Sequence, residues 1–213
     1  MEELEIELKG EKLFLDPNKV IYWKRKSVLI LADIHLGKAA HFRKHGIAVP
    51  VQVHQVDLIR LDKLVSKYQP AKICFLGDLF HSDFNAEWDV FSNWMKNYPK
   101  IEMTLIKGNH DILDQGTYLN SNLSMTESWH EPPFYFTHEK ETSGLYNISG
   151  HVHPAVRLKG RAKQGLTIPC FYFSENFGMI PAFGEFTGTF KIKPLKGDRI
   201  YGVTKEEVIA LMT

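Results

Sequence analysis

The sequence has few cysteines, little net charge and no long apolar segment. Its two cysteines, Cys74 and Cys170, are too few for a disulfide framework or a zinc ribbon, and Cys74 lies in an apolar run typical of a buried residue. The formal net charge is only +1, whereas a strongly basic chain would indicate binding to a nucleic-acid backbone. No apolar run approaches the roughly 20 residues that a membrane-spanning helix needs.

The N-terminal segment is also poor in apolar residues. Residues 1–5 are mostly acidic and lack the apolar core of a secretory signal peptide. We therefore expect a cytoplasmic protein that does not enter a membrane. Of the 213 residues, 44% are hydrophobic and 24% are charged, which is enough for a hydrophobic core. Because no repeat, low-complexity tract or linker divides the chain, we expect residues 1–213 to form one domain.

Three apolar runs, at residues 27–32, 72–76 and 101–106, have the composition of strands buried on both faces. Residues 53–68 and 86–98 separate these runs and carry apolar residues mostly at helical spacing. Strands that alternate with helices indicate parallel strands joined by crossover helices. Ligands of such sheets bind beyond the carboxyl ends of the strands, and polar residues follow each run.

The second half of the chain has a different pattern. After residue 111, short β-rich segments separated by turn residues extend to about residue 203, and helical patterning returns only in the last few residues. At the start, alternation over residues 4–8 and a turn at Gly10 predict a hairpin. We expect an α/β protein in which a second sheet packs against the first.

The residues that follow the first two apolar runs suit a divalent metal ion. Asp33 and His35 flank Ile34, and alternate side chains of an extended segment point the same way. Carboxylates and imidazoles are good ligands for borderline divalent metals. Asp78 follows Gly77, and its two carboxylate oxygens can bridge two cations. Either motif taken alone also occurs in ordinary surface segments.

Three further segments add ligands. Asn109, within a Gly-Asn-His-Asp motif, offers an amide oxygen, and His151 and His153 offer imidazoles at alternate positions. His138 follows an apolar run, whereas its alternative, His130, precedes Glu-Pro-Pro. Each motif alone is also typical of a turn. Because all of them occur in one order, each at the end of an apolar run, the set indicates a metal site.

This ordered set, Asp-x-His, Gly-Asp, Gly-Asn-His-Asp, a His and Gly-His-x-His, resembles the calcineurin-like metallophosphoesterase superfamily. The resemblance implies a four-layer α/β/β/α fold, in which two facing mixed β-sheets are flanked by helices. It implies that Asp78 bridges two metal ions. The first ion would be held by Asp33, His35, Asp78 and His153, and the second by Asp78, Asn109, His138 and His151.

The resemblance also implies roles for two residues that do not bind metal. His110 would lie near the leaving oxygen as a general acid or charge stabiliser, and Asp111 would orient its ring. Two adjacent cations can stabilise the charge on the attacking and leaving oxygens of a phosphoester and activate water near neutral pH. The ligand set contains no thiolate, so we expect two divalent metal ions, Mn²⁺ in preference to Fe or Zn²⁺.

Longer stretches of the sequence resemble one particular family within this superfamily. Residues 31–40, 76–81, 150–157 and 181–188 resemble the ligase-associated DNA damage response endonucleases, a bacterial family that accompanies a DNA ligase and a helicase. The resemblance extends over residues 29–203. It implies DNA as the substrate, end-processing in repair as the role, and a functional association with a ligase and a helicase.

Basic residues near the metal motifs are candidates for substrate binding. Arg43 follows the first motif and Arg157 follows the last, so either can contact a phosphate backbone. His81 follows Asp78 closely and can contact the substrate or a water. A solvated surface position explains these three residues about equally well. We expect residues 181–188, which contain two Phe, to pack beneath the site rather than stack on bases.

Two other functions stay open at the level of sequence. The near-zero net charge is compatible with a phosphoesterase that acts on small molecules or cyclic nucleotides and has no nucleic-acid role. A non-catalytic scaffold within a repair complex is the third hypothesis. The complete set of ligands argues against that scaffold, because a degenerate site loses ligands first.

Overall fold

Two β-sheets and two α-helices make up most of the described chain. The computed structural model describes residues 2–38, 53–80, 86–112, 117–118, 121–159 and 165–213. The first sheet has seven strands in sequence order: β1 (Leu4–Leu8), β2 (Glu11–Asp16), β3 (Val20–Trp23), β4 (Val28–Leu31), β5 (Lys72–Leu76), β6 (Glu102–Ile106) and β7 (Leu123–Thr126). The helices are α1 (Val53–Tyr68) and α2 (Ala86–Lys96), and a short 3₁₀ turn spans Lys24–Lys26.

The second sheet contains nine of the described strands. They are β8 (Trp129–Glu131), β9 (Phe134–Thr137), β10 (Tyr146–Ser149), β11 (Pro154–Lys159), β12 (Gly165–Phe173), β13 (Phe177–Met179), β14 (Phe190–Lys191), β15 (Arg199–Val203) and β16 (Val208–Met212). The main order is β14-β11-β12-β13-β10-β9-β8, and β15 pairs with both β12 and β16.

Both sheets are mixed. Their parallel strands bring the polar residues that follow them to the same edge of the sheet. In the first sheet β1 to β4 are antiparallel, whereas β4, β5, β6 and β7 are parallel. In the second sheet β10 is parallel to both β9 and β13. Helices α1 and α2 lie in the chain between β4, β5 and β6, as parallel strands require. The carboxyl ends of β4, β5 and β6 therefore share one edge.

Hydrophobic layers hold the sheets and helices together. One cluster lies between the two sheets and includes Ile30 and Leu76 from the first and Phe136 and Phe171 from the second. A second cluster packs the outer face of the first sheet against both helices. A third, smaller cluster covers the outer face of the second sheet around Cys170. Alternate residues of the buried strands thus serve two different cores, which explains why these strands are apolar on both faces.

The expected fold class is confirmed, since two mixed sheets face each other and both described helices pack on the outer face of the first sheet. The predicted helix over residues 53–68 matches α1, and the hairpin turns at Gly10 as expected. The expectation of helical patterning at the end of the chain is wrong. Residues Val208–Met212 form β16, which pairs along β15, so strand pairing outweighs local spacing there. No helix in the described part of the chain is long and apolar enough to cross a membrane.

Candidate metal centre

The polar residues singled out by the sequence stand at the carboxyl ends of five strands. These are β4, β5 and β6 of the first sheet and β9 and β10 of the second. The loops after them carry, in chain order, Asp33 and His35, then Asp78, then Asn109 and His110, then His138, then His151 and His153. Two strands from one sheet and three from the other therefore converge on one point at the shared edge of the sheets.

One group of ligands forms around Asp33. The ligand atoms of Asp33, His35 and His153 lie within 4.8 Å of one another. His153 Nε2 lies 3.4 Å from Asp33 Oδ1, and His35 Nε2 lies 3.6 Å from Asp78 Oδ2. Asp33 and His35 are buried, so their ligand atoms are shielded from bulk water.

A second group forms on the other side of Asp78. The ligand atoms of Asp78, His138 and His151 also lie within 4.8 Å of one another. His138 Nε2 lies 3.5 Å from Asp78 Oδ1, 3.1 Å from Asn109 Oδ1 and 3.0 Å from His151 Nδ1. The two oxygens of Asp78 thus face different groups, Oδ2 toward His35 and Oδ1 toward His138.

Ring nitrogens of His138 and His153 direct lone pairs into the site. His138 Nδ1 lies 3.0 Å from the carbonyl oxygen of Leu76, which can only accept, so Nδ1 carries the hydrogen. In the neutral ring Nε2 is then a lone pair. It can accept from Nδ1 of His151, and it also faces the acceptor oxygens of Asn109 and Asp78. His153 Nε2 is buried and has no hydrogen-bond partner among the described residues. Converging lone pairs of this kind fit divalent metal ions.

The backbone of the ligand loops is unusual. Asp33, His35, Asp78, His151 and His153 all have positive φ angles, between 48° and 62°. A positive φ is uncommon for residues other than glycine and costs of order 1–3 kcal/mol in a sparsely populated region. Such strain persists only where surrounding structure enforces it, and here it coincides with the ligands. It explains why simple strand alternation does not describe how Asp33 and His35 are positioned.

Glycines beside the ligands leave the space that the ligands occupy. A Cβ atom on Gly77 would lie 2.2 Å from Nδ1 of His138, and Gly77 itself has a φ of +76°. A Cβ atom on Gly108 would lie 2.3 Å from Oδ1 of Asp78. Both distances are far below van der Waals contact, so no other residue fits without moving a ligand.

Asp111 joins two of the ligand loops through backbone amides. Its Oδ1 accepts hydrogen bonds from the amides of Leu79 and Phe80, and its Oδ2 accepts one from Gly108. Burial raises the pKa of the Asp111 carboxyl to about 6, although these amides oppose the shift. Asp111 therefore fixes the loop of Asn109 and His110 against the loop of Asp78. Its expected action on the ring of His110 stays a prediction.

His110 lies beside the ligands and outside both groups. Its backbone amide donates to Asp78 Oδ1 at 2.9 Å, and its ring centroid lies 5.5 Å from that of His35. The side chain is only half-buried, so it can reach a substrate from the solvent side. Lys38 is a further cation near the site. Desolvation lowers the pKa of its ammonium group, while the carboxylates of Asp78 and Asp33 raise it.

The expected substrate contacts are only partly described. Arg157 lies on β11 and is exposed. Arg43 and His81 lie outside the described residues. Of the segment expected to pack beneath the site, residues 181–184 are buried, which confirms that expectation for them. For Phe186 the expectation is wrong, because its side chain is 40% exposed.

Sequence reasoning missed Arg60, which contacts the segment that is hydrogen-bonded to the backbone of Asp33. Arg60, on α1, donates to the carbonyl of Phe183 at 2.9 Å and to Asp57 Oδ1 at 3.0 Å. Its guanidinium carbon lies 4.1 Å from the ring centroid of Phe183. The amide of Phe183 donates to Ala32, and the amide of Gly184 donates to the carbonyl of Asp33. The only hint in the sequence is a charged residue amid the apolar positions of α1.

Comparisons with known proteins show to which family the chain belongs. The family model for the calcineurin-like phosphoesterases matches residues 26–199. Among solved structures, the Pseudomonas putida nuclease MPE matches with a TM-score of 0.84 and 31% sequence identity, over 99% of this chain and 100% of that one. Yfce, a phosphoesterase from E. coli, matches with a TM-score of 0.44 and 12% identity, over 86% of this chain and 96% of that one. No protein with a curated function matches the sequence.

Proposed function

This chain belongs to the calcineurin-like phosphoesterase family and is a metal-dependent phosphoesterase, and we propose that it uses two metal ions to hydrolyse phosphodiester bonds in DNA. One observation carries the two-metal part of the proposal. Asp78 directs Oδ2 toward a group built on Asp33 and Oδ1 toward a group built on His138. A single carboxylate between two sets of donors is suited to bridging two cations.

The proposed ligands follow from the two groups. Asp33, His35, Asp78 and His153 would hold one ion, and Asp78, Asn109, His138 and His151 would hold the other. The mixture of carboxylate, amide and imidazole ligands without thiolate favours Mn²⁺, with Fe and Zn²⁺ as alternatives. When bound, such ions neutralise the charge of the phosphoester and make water more acidic.

The surrounding residues of the chain have separate tasks. The half-buried imidazole of His110 would donate a proton to the leaving oxygen, because a positioned imidazole can act as a general acid. Asp111 would keep the backbone of His110 in place through its bonds to the amides of Gly108 and Leu79. The ammonium group of Lys38 would add positive charge near the carboxylates of Asp78 and Asp33.

DNA as the substrate is supported by the relative of known structure, which is a nuclease and matches along its full length. Residues 31–40 and 150–157, which resemble the ligase-associated DNA damage response endonucleases, include ligands of both groups. We place the protein in cytoplasmic DNA repair, in functional association with a DNA ligase and a helicase. The net charge of +1 favours the alternative, a phosphoesterase for small molecules or cyclic nucleotides.

One set of assays separates these functions. Mn²⁺-loaded protein is incubated with single-stranded DNA, with nicked DNA, with a cyclic nucleotide and with an aryl phosphodiester. We expect cleavage of at least one DNA substrate and slower hydrolysis of the aryl ester. Cleavage of the aryl ester or the cyclic nucleotide without any cleavage of DNA would favour the alternative.

A further inference from the structure

A row of cations extends from the metal centre along one edge of the second sheet. Strand β11 begins directly after His153, and Arg157 lies within it. Strand β14 runs beside β11 and is joined to the metal loop, because the amide of Phe190 donates to the carbonyl of His153 at 2.9 Å. Lys191 and Lys193 follow Phe190, and both are exposed, as is Arg157.

The strand register places these cations on one face. Lys191 lies opposite Ala155 in the parallel pair of β14 and β11, and Arg157 shares the face of Ala155 by alternation. Ile192 packs against the outer cluster of the second sheet, so Lys193 points the same way as Lys191.

That face is the inner one, which looks toward the first sheet. Val156 and Ile168 belong to the outer cluster of the second sheet. Phe171 and Phe173, at the alternate positions of β12, belong to the core between the sheets. Arg157 lies opposite Thr167, which shares the face of Phe171. The cations therefore project on the side of the sheet from which the metal ligands also converge.

None of the three cations forms an ion pair with a carboxylate of the described residues, in contrast to Arg25, which is paired with Glu11. Arg157 nevertheless has a defined position. A Cβ atom on Gly165 would lie 2.4 Å from Arg157 Nε, so the guanidinium rests directly over this glycine.

Unpaired cations in a row fit an extended polyanion better than a single phosphate. Residues two apart on a strand are separated by roughly 6.5 Å, and neighbouring strands by about 4.8 Å. The three charges are therefore spread over a distance that one phosphate group does not cover. We propose that Arg157, Lys191 and Lys193 bind the backbone of a single DNA strand that leaves the metal centre along β11 and β14. This inference rests on the proposed action on DNA.

The salt dependence of binding tests the proposal. Binding of a fluorescent single-stranded DNA is followed by anisotropy over a series of salt concentrations, for the wild type and for the Arg157→Ala/Lys191→Ala/Lys193→Ala variant. Each phosphate contact on a single strand contributes about 0.7 to the slope of log K against log salt. We expect the slope to become shallower by about 2 in the variant. We also expect kcat/KM on DNA to fall roughly tenfold more than kcat/KM on an aryl phosphodiester.

Two matched variants complete the test. Lys63→Ala/Lys100→Ala/Lys205→Ala removes the same charge from exposed positions elsewhere, and we expect its slope to equal that of the wild type. Gly165→Ala removes no charge but displaces the guanidinium of Arg157, and we expect weaker binding. Equal slopes in the wild type and the Arg157 triple variant, with DNA still cleaved by the wild type, would overturn this inference alone. A wild type that neither binds nor cleaves DNA would overturn the proposed function as well.

Discussion

His138 Nε2 lies 3.1 Å from the side-chain oxygen of Asn109, although 29 residues separate the two in sequence. This contact favours His138 over His130, the two histidines that the sequence left as candidates. His130 lies on β8, is exposed, and packs against Tyr135 with ring centroids 4.2 Å apart. Of these two histidines, His138 alone belongs to a group of candidate ligands among the described residues.

Replacing each histidine in turn should distinguish a metal ligand from a histidine that does not bind metal. His138→Ala removes a proposed ligand of the second group, so we expect affinity for one of the two metal ions to fall. The loss should exceed the roughly 10- to 100-fold change typical of removing a residue that only supports a ligand. His130→Ala should bind metal as the wild type does. Isothermal titration with Mn²⁺ measures both, and equal affinities in the two variants would refute the assignment.

His110 should affect the rate without affecting the metals. His110→Ala removes the proposed general acid, whose contribution is typically 10²- to 10⁴-fold. We expect kcat to fall by about that factor while metal content, measured by mass spectrometry of the desalted protein, stays the same. A substrate whose leaving group needs no proton should restore most of the lost rate. If metal content falls together with kcat, His110 is a ligand rather than an acid.

Arg60 should influence the first metal ion from a distance. Its bonds to Phe183 and Asp57 hold the segment that supports the backbone of Asp33. We expect Arg60→Ala to weaken binding of one Mn²⁺ ion by roughly 10- to 100-fold, as removal of supporting residues does. Arg60→Lys keeps the charge beside Asp57 but lacks the planar fork, so we expect an intermediate affinity.

The control for Arg60 is Arg25→Ala, because Arg25 pairs with Glu11 at the surface, within the first strands of the chain. Titration calorimetry gives the metal affinity, and unfolding of the metal-free protein gives the stability of each variant. Equal metal affinity in Arg60→Ala and Arg25→Ala would show that the contacts of Arg60 only stabilise the fold.

Asp57 should make the stability of the metal-free protein depend on pH. Burial raises its pKa from 3.8 to about 6, and Arg60 and Lys19 lower it less than burial raises it. The folded pKa exceeds the unfolded one, so this group's contribution to stability is present below about pH 4 and is lost as pH rises through about 6. The full change amounts to about 3 kcal/mol.

Asp57→Asn cannot titrate and serves as the comparison. Urea unfolding in the presence of a chelator gives the free energy of unfolding of both proteins at pH 4 and pH 7. We expect the wild type to lose stability relative to Asp57→Asn between these values. A difference between the two proteins that does not change with pH would show that Asp57 titrates normally.

Much of the fold could be predicted because its signals are local. Helix α1 follows from apolar spacing, and β5 and β6 follow from runs of residues that are apolar on both faces. Strand β16 was missed because pairing with β15, not the spacing of its own residues, determines its conformation. Asp33 and Asp78 were recognisable because their motifs stand at the ends of such runs.

The support behind the site could not be predicted, because it depends on distant contacts. Arg60 donates to Asn18 and Phe183, which lie 42 and 123 residues away in sequence, and nothing in the sequence pairs it with either residue. The face of Lys191 is also a tertiary property, because it depends on the register of the two-residue strand β14 with β11. The reactive residues at strand ends can be recognised from the sequence, whereas the packing contacts that position them cannot.

The bridging role of Asp78 is the central claim, and metal content is its most direct test. The wild type and Asp78→Asn are loaded with Mn²⁺, desalted, and analysed for metal per chain by mass spectrometry. An amide offers one oxygen and no charge in place of two charged oxygens, so both ions should lose their shared ligand. The account predicts two ions per chain in the wild type and loss of both from Asp78→Asn. Two ions retained in Asp78→Asn would contradict it.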